Sequence, residues 1–139
     1  MDGVTDRDRL GRSAVHYAVV DGDVERLKAL LTGGADPDAA DTNGWRPLHL
    51  AAQAQDAVAI EALVAVGAAR DPVDRHGNTP LWRAVFTSRG EGAAIRALLN
   101  VGADPDRVNG HGVSPRMRAA RIANYDVAAF LPGEGEPAS

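Results

Sequence analysis

The stretch "DTNGWRPLHLAAQ", from Asp41 to Gln53, decides the fold, because "DRHGNTPLWRAVF", from Asp74 to Phe86, repeats its Asp, Gly, Pro and Leu 33 residues later. A phrase that recurs at a fixed spacing predicts a repeated structural unit. The glycine of this phrase recurs along the chain at separations of 33, 33 and 35 residues, as Gly11, Gly44, Gly77 and Gly112.

A second glycine series tests the repeat independently. Glycines that precede Ala recur at separations of 33 and 35 residues, as Gly34, Gly67 and Gly102. Both series place the same two-residue insertion between Gly77 and Gly102. Because two separate markers agree on the insertion, we interpret the chain as an array of repeated units.

Each unit has the pattern of two short helices. After the turn glycine, apolar residues recur at positions i, i+3 and i+4, as in Leu48, Ala51 and Ala52, which is one face of a helix. A second apolar stripe follows after a short break, and a glycine of the second series is expected to end that helix. The first helix opens with a proline in three units, where the missing N–H costs nothing: Pro47, Pro80 and Pro115.

These motifs resemble the ankyrin repeat family. The 33-residue period, "GWRPLHLAA" at 44–52 and "LLNVGADP" at 98–105 match the family's G-x-T-P-L-H-x-A-A and L-L-x-x-G-A-D-P patterns. The resemblance implies an all-α solenoid of stacked helix-turn-helix units with β-hairpin-like turns. It covers residues 6–131 as four repeats, after an N-terminal extension at 1–5 and before a disordered tail at 132–139, with the repeats at 6–38, 39–71, 72–106 and 107–131.

Departures from the family pattern identify the ends of the array. Ala14 replaces the first proline, which indicates an N-terminal capping unit, and Arg116 occupies a leucine position, which indicates a C-terminal one. Trp82 and Met117 replace the histidine that His49 supplies in the second unit.

Composition excludes several classes of function. The net charge of −4, from 15 basic and 19 acidic groups, has the wrong sign for a general nucleic-acid binder. The absence of cysteine excludes disulfides and thiolate chemistry. The start "MDGVTDRDRLGR" lacks the apolar stretch of a signal peptide, and no run reaches the roughly 18 apolar residues that span a bilayer. We expect a cytoplasmic monomer that contacts neither nucleic acid nor a membrane.

The sequence contains no assembled reaction site, so we predict a protein without catalysis or cofactor. His16 and His49 are 33 residues apart and His76 and His111 are 35 apart, so each pair occupies equivalent positions in neighbouring units. Packed helices lie roughly 8–10 Å apart, and such pairs therefore cannot share a metal whose ligands lie about 2.1 Å away. We expect His16 and His49 to bond to turn backbones. The alternative is a metal- or ligand-dependent enzyme that uses His76, His111 and nearby aspartates.

The resemblance implies that a protein partner binds at variable positions of the hairpin tips and inner helices. At the tips these are Arg9, Leu10, Thr42, Asn43, Trp45, Arg46, Arg75, His76, Asn78, His111 and Val113. On the inner helices they are Tyr17, Gln53, Arg83, Phe86 and Arg118.

Two features carry alternatives. Trp45 follows the turn glycine outside both apolar stripes, so we expect it to be exposed as an interface anchor; the alternative is that it folds back over the neighbouring hairpin. The insertion within 87–92 is expected to be a loop extension without a function of its own. The alternative is that it is a contact element specific to this unit.

A narrower resemblance concerns the end of the chain. "TPLWRAVF", "SRGEG" and "GVSP…IANYDVAAF" are similar to the ending of small stand-alone bacterial ankyrin proteins that accompany secreted toxins. Membership would imply an immunity protein that blocks a toxin domain by binding it. Residues 1–40 carry eight acids against five bases, which would suit a basic toxin.

Overall fold

The structure, a computed structural model, describes residues 10–121 and 130–131. Within these ranges the chain forms seven helices and no strand. The helices are α1 (Ala14–Val20), α2 (Val24–Thr32), α3 (Pro47–Gln53), α4 (Ala57–Ala65), α5 (Pro80–Phe86), α6 (Ala93–Asn100) and α7 (Pro115–Ala120).

Two layers of helices build the array. The odd-numbered helices α1, α3, α5 and α7 contact one another in series, and α2, α4 and α6 form a second series beside them. We call these the inner and outer layers. The predicted all-α repeat solenoid is confirmed, with three complete helix pairs and α7 as the opening helix of a further unit. Residues 122–129 of the predicted fourth repeat, the predicted extension at 1–5 and the predicted tail at 132–139 lie outside the described residues.

The core lies between the two layers. Alanine at Ala51, Ala52, Ala84 and Ala94 is fully buried, and these small side chains let neighbouring helices approach closely. The larger side chains of both stripes fill the space between the layers, so each unit buries apolar surface against the next. The largest fully buried apolar residues are Leu27, Leu48, Ile60, Leu63, Leu81, Ile95 and Leu98.

Side-chain caps begin most inner helices. The hydroxyls of Ser13, Thr79 and Ser114 each accept a hydrogen bond from the backbone N–H three residues further on, at 3.1–3.4 Å. Arg46 occupies this position before α3 and has no acceptor atom, so α3 begins without such a cap.

Glycines end the outer helices as the sequence predicts. Gly67 has φ +100°, a left-handed conformation that is strained for residues with a Cβ. Its N–H donates to the carbonyl of Val64, and the N–H of Ala68 donates to that of Leu63, which is the Schellman pattern. The same pair of bonds recurs at Gly34 and Gly102.

A ladder of backbone hydrogen bonds joins the hairpin-like turns. The N–H of Thr42 donates to the carbonyl of Leu10 at 2.8 Å, and the N–H of Arg75 donates to that of Asn43 at 3.1 Å. Gly110 repeats this bond to His76 at 2.8 Å. The turns therefore project as one row along the edge of the inner layer.

The loops between units carry a second ladder, built from aspartates. The carboxylate of Asp38 accepts from the N–H of Ala69 at 3.0 Å, and that of Asp71 accepts from the N–H of Asp104 at 3.2 Å. Burial raises the pKa of Asp71, and the bond from Asp104 lowers it by less. The carboxylates of Asp38 and Asp71 thus join the loops of successive units.

The insertion in the third unit contacts the C-terminal part of the chain. Gly92, just before α6, is buried against the ring of Phe130, and the guanidinium of Arg96 lies 4.8 Å from that ring's centroid. A Cβ on Gly92 would lie 2.5 Å from the ring. Any larger residue at this position would therefore require the ring of Phe130 to move.

Candidate binding surface

In each turn, the side chain of one polar residue accepts hydrogen bonds from backbone N–H groups of the same turn. The Oδ1 atom of Asp74 accepts from the backbone N–H of His76 at 2.8 Å and of Asn78 at 3.0 Å, while Gly77 at φ +80° reverses the chain. Asp41 and Asn109 do the same in the turns before and after. All three are buried, so they shape the turns and are not available to a partner.

Two histidines link successive units, as the sequence predicts. The Nδ1 atom of His49 accepts from the N–H of Arg46 at 3.0 Å, and its Nε2–H donates to the carbonyl of Asn78 at 2.9 Å in the next turn. His16 makes the equivalent bonds to Ser13 and Trp45. Because both ring nitrogens of each imidazole are engaged, neither ring is free to ligate a metal or transfer a proton.

Burial fixes the charge of His49. The ring is fully buried, and desolvation lowers its pKa from 6.5 to about 4, although the bond to Asn78 and the charge of Asp74 act in the opposite direction. His49 is therefore neutral at physiological pH.

Trp82 breaks this pattern in the third unit. It occupies the histidine position, but its buried indole N–H has no hydrogen-bond acceptor among the described residues. The ring stacks on Phe86 instead, with centroids 5.2 Å apart. Trp82 is thus partly buried and packs against Phe86.

A groove opens between the turns and the inner helices of the first three units. Its volume is about 420 Å³. The structure brings together five of the predicted site residues, Asn43, Trp45, Arg75, His76 and Arg83, with Gln53, which was also expected to face the groove. The sequence reasoning missed two further lining residues, Arg12 and Asp41. The repeat register contained the signal for Arg12, since it follows Gly11 as Trp45 follows Gly44.

The wall of this groove is a stack of cations and aromatic rings. The guanidinium carbon of Arg83 lies 4.4 Å from the ring centroid of Trp45. Burial lowers the pKa of Arg83, and the nearby charge of Asp74 raises it by less. Further along, the guanidinium of Arg118 lies 4.7 Å from the ring of Phe86, whose side chain is 46% exposed.

Two predicted site residues require correction. Trp45 is partly buried against the core and under Arg83 of α5, so it is not the exposed side chain that we expected. Its role as an interface anchor stays a prediction. Asn78 is buried, and its side-chain oxygen accepts from the amide of Asn109 at 2.8 Å, so it joins turns and is not accessible at a tip. In both cases the neighbouring unit covers the side chain.

The remaining predicted residues are dispersed. Thr42 is exposed at its turn and donates its hydroxyl to the carbonyl of Leu10, and His111 is exposed at the last turn. Arg46 is partly buried beside α3, away from the groove lining. Arg9 lies outside the described residues.

The described ranges hold no cluster of three or more His, Asp or Glu residues that could bind a metal ion. Nor is any helix within them long and apolar enough to cross a membrane. The predicted absence of catalysis stays a prediction.

Comparison with known proteins agrees with this architecture. The sequence model of the family described as "Ankyrin repeats (3 copies)" matches residues 15–109, which is more than half of the chain. The chain belongs to the ankyrin repeat family. Ankyrin repeats are generally protein–protein interaction modules.

Several curated proteins match the chain over short stretches. The Notch-regulated ankyrin repeat-containing protein B of Danio rerio is 45% identical over 40 residues, covering 29% of this chain and 36% of that protein. The Notch-regulated ankyrin repeat-containing protein of Homo sapiens is also 45% identical over 40 residues, which are 35% of its length. Potassium channel AKT1 of Oryza sativa subsp. indica is 51% identical over 39 residues, only 4% of its length. The matches thus span about a third or less of these relatives.

Proposed function

We propose that the chain is a non-catalytic module that binds a protein partner through the turn row and the inner helices. The observation that supports this most is the groove, in which five residues chosen from the repeat register meet on one surface. Several groove residues lie at the turns outside the apolar core, among them Asn43, Arg75 and His76. Because their side chains are not buried in the core, they are available to contact a partner. We further propose that the chain acts as a monomer in the cytoplasm, without contact to nucleic acid.

The test is to capture a partner from the source cells on the immobilised chain and to compare single-residue variants. Arg75→Ala removes an exposed groove side chain, and Lys28→Ala removes an exposed cation on the outer helix α2 as a control. We expect a partner that Arg75→Ala loses and Lys28→Ala keeps. Equal capture by both variants would contradict the groove as the binding site. Light scattering across concentration tests the monomer.

A second candidate is an immunity protein that neutralises a toxin by direct binding. It is supported by the likeness of "TPLWRAVF", "SRGEG" and "GVSP…IANYDVAAF" to small bacterial ankyrin proteins that accompany secreted toxins. The test is to identify a toxin gene adjacent to this one and to co-express its product with the chain. Growth should be restored by the chain, and no restoration would contradict this candidate.

A further inference from the structure

The groove carries a charge opposite to that of the whole chain. Three of its eight lining residues are arginines, Arg12, Arg75 and Arg83, and one is an acid, Asp41. The chain as a whole has a net charge of −4. A local excess of positive charge on an acidic protein sets the electrostatic character of the ligand that the groove favours.

Asp41, the acidic residue of the groove lining, already has partners within the chain. Asp41 is buried, its Oδ1 atom accepts from the N–H groups of Asn43 and Trp45, and its Oδ2 atom lies 3.6 Å from Nε of Arg12. It is therefore held by the turn and by the arginine of the preceding unit.

Arg75 and Arg83 are not paired in this way, although the nearby charge of the Asp74 carboxylate acts on Arg83. Among the residues that the structure describes, neither forms a salt bridge. Arg75 is exposed and donates from Nη1 to the side-chain oxygen of Asn43 at 2.9 Å, which orients its guanidinium at the turn. Arg83 is held against Trp45, and within the described part of the chain its buried Nε has no acceptor.

Both guanidiniums are thus positioned before any ligand arrives. A side chain that is already ordered loses less conformational entropy on binding. A carboxylate matches the planar fork of a guanidinium and pairs with it through two parallel hydrogen bonds. A ligand carboxylate would also replace the hydration that Arg83 loses through its partial burial.

On the basis of the proposed function, we propose that the groove binds an acidic segment of the protein partner, with Glu or Asp carboxylates paired to Arg75 and Arg83. The groove's volume of about 420 Å³ accommodates a few side chains, which suits a short peptide segment. A nucleic acid is disfavoured, because its phosphates would extend beyond the groove over a surface that is acidic overall. The ring of Trp45 is also covered by Arg83, and so is not open for base stacking.

This assignment changes the expectation for a toxin partner. The acidic N-terminal residues suggested a basic partner. The groove instead recognises an acidic region of its ligand, so a basic toxin domain would have to present a local acidic loop here or bind elsewhere.

The test is a selection of short random peptides displayed on phage, carried out on the immobilised chain. Affinities of a selected peptide and of its counterpart with Gln for every Glu and Asn for every Asp are then measured by fluorescence anisotropy. We expect acidic peptides to be enriched. The neutral counterpart should bind the wild type at least about tenfold more weakly.

Matched variants locate the effect. Arg75→Gln with Arg83→Gln should lose about the same factor toward the acidic peptide, and should bind acidic and neutral peptides equally. Lys28→Gln removes one exposed positive charge from α2 and should leave the affinity unchanged. Thermal unfolding followed by circular dichroism shows that each variant is folded. If the double variant is not folded, Arg75→Gln alone is used in its place, because Arg75 lies at an exposed turn.

The outcomes separate the two proposals. Enriched peptides without acids, or acidic peptides that ignore both arginines, would overturn the acidic assignment while leaving a peptide-binding module. A selection that enriches no peptide would overturn the groove as a docking site for any protein segment. A labelled oligothymidylate that binds more tightly than the selected peptide, with the same dependence on both arginines, would overturn it in favour of nucleic acid.

Discussion

The guanidinium of Arg83 on α5 lies 4.4 Å from the ring centroid of Trp45, which belongs to the turn before α3. This contact joins the second unit to the third on the surface that faces the groove. It therefore couples the shape of the candidate site to the stability of the stack.

A double-mutant cycle on this pair should reveal a favourable coupling. Trp45→Ala, Arg83→Ala and the double variant are compared by urea unfolding, followed by circular dichroism. Because the pair is only partly buried, we expect a coupling free energy of about 0.5–1 kcal/mol. Additive losses would show that the two side chains pack independently. The pair Arg96→Ala and Trp45→Ala is the additive control, because Arg96 lies on the outer helix α6 and Trp45 in the turn before α3.

The stability of the chain should fall in mild acid because of His49. In the unfolded chain the imidazole of His49 has its ordinary pKa of 6.5, whereas in the folded chain its pKa is about 4. Between these values the unfolded state binds more protons, so the free energy of unfolding decreases as the pH falls through this window. The decrease amounts to about 3 kcal/mol at most.

Urea unfolding between neutral and acidic pH measures this effect in the wild type and in His49→Gln, which has no titrating ring. The difference in unfolding free energy between the two proteins should shrink as the pH falls. A difference that stays constant over this window would show that the buried ring titrates normally.

Two turn glycines should differ in their tolerance of alanine. At Gly112, φ is +75° and a Cβ would meet no atom within 4 Å, so Gly112→Ala should cost only the left-handed strain of about 1–2 kcal/mol. At Gly77, φ is +80° and a Cβ would lie 2.7 Å from the backbone N of Gly110. Gly77→Ala should therefore cost about 1–3 kcal/mol more. Equal unfolding free energies for the two variants would contradict the close approach of these turns.

The contact of Gly92 with Phe130 makes a prediction about the insertion. Gly92→Ala should destabilise the chain by about 1–3 kcal/mol, because the new Cβ collides with the ring. In a Phe130→Ala background the same change should cost little, since the space is then empty. If Gly92→Ala is equally costly in both backgrounds, the ring is not the cause.

Much of this architecture follows from the repeat alone. The two glycine series predict where the outer helices end and where the turns take positive φ, because these are local backbone requirements. The register also predicts that His16 and His49 bond to turns. It does so because the family pattern places the same imidazole in the same position of each unit.

The candidate site is less predictable, because equivalent positions do different things. Arg12, Trp45 and Asn78 share one position, and each contacts the next unit in its own way. Arg12 approaches a carboxylate, Trp45 lies beneath a guanidinium, and Asn78 accepts from an amide. Each outcome depends on the side chains that the neighbouring unit offers about 30 residues away, so the position alone does not determine exposure.

The reach of each imidazole into the following turn has a consequence for editing the chain. Removing residues 42–74, one full period, would bring the carbonyl of Asn78 to the place that the carbonyl of Trp45 holds now, directly opposite His16. The shortened array would then keep its internal bond. A deletion of any other length would leave the buried imidazole of His16 without a carbonyl acceptor. The chain can therefore be shortened without losing this bond only by whole repeats.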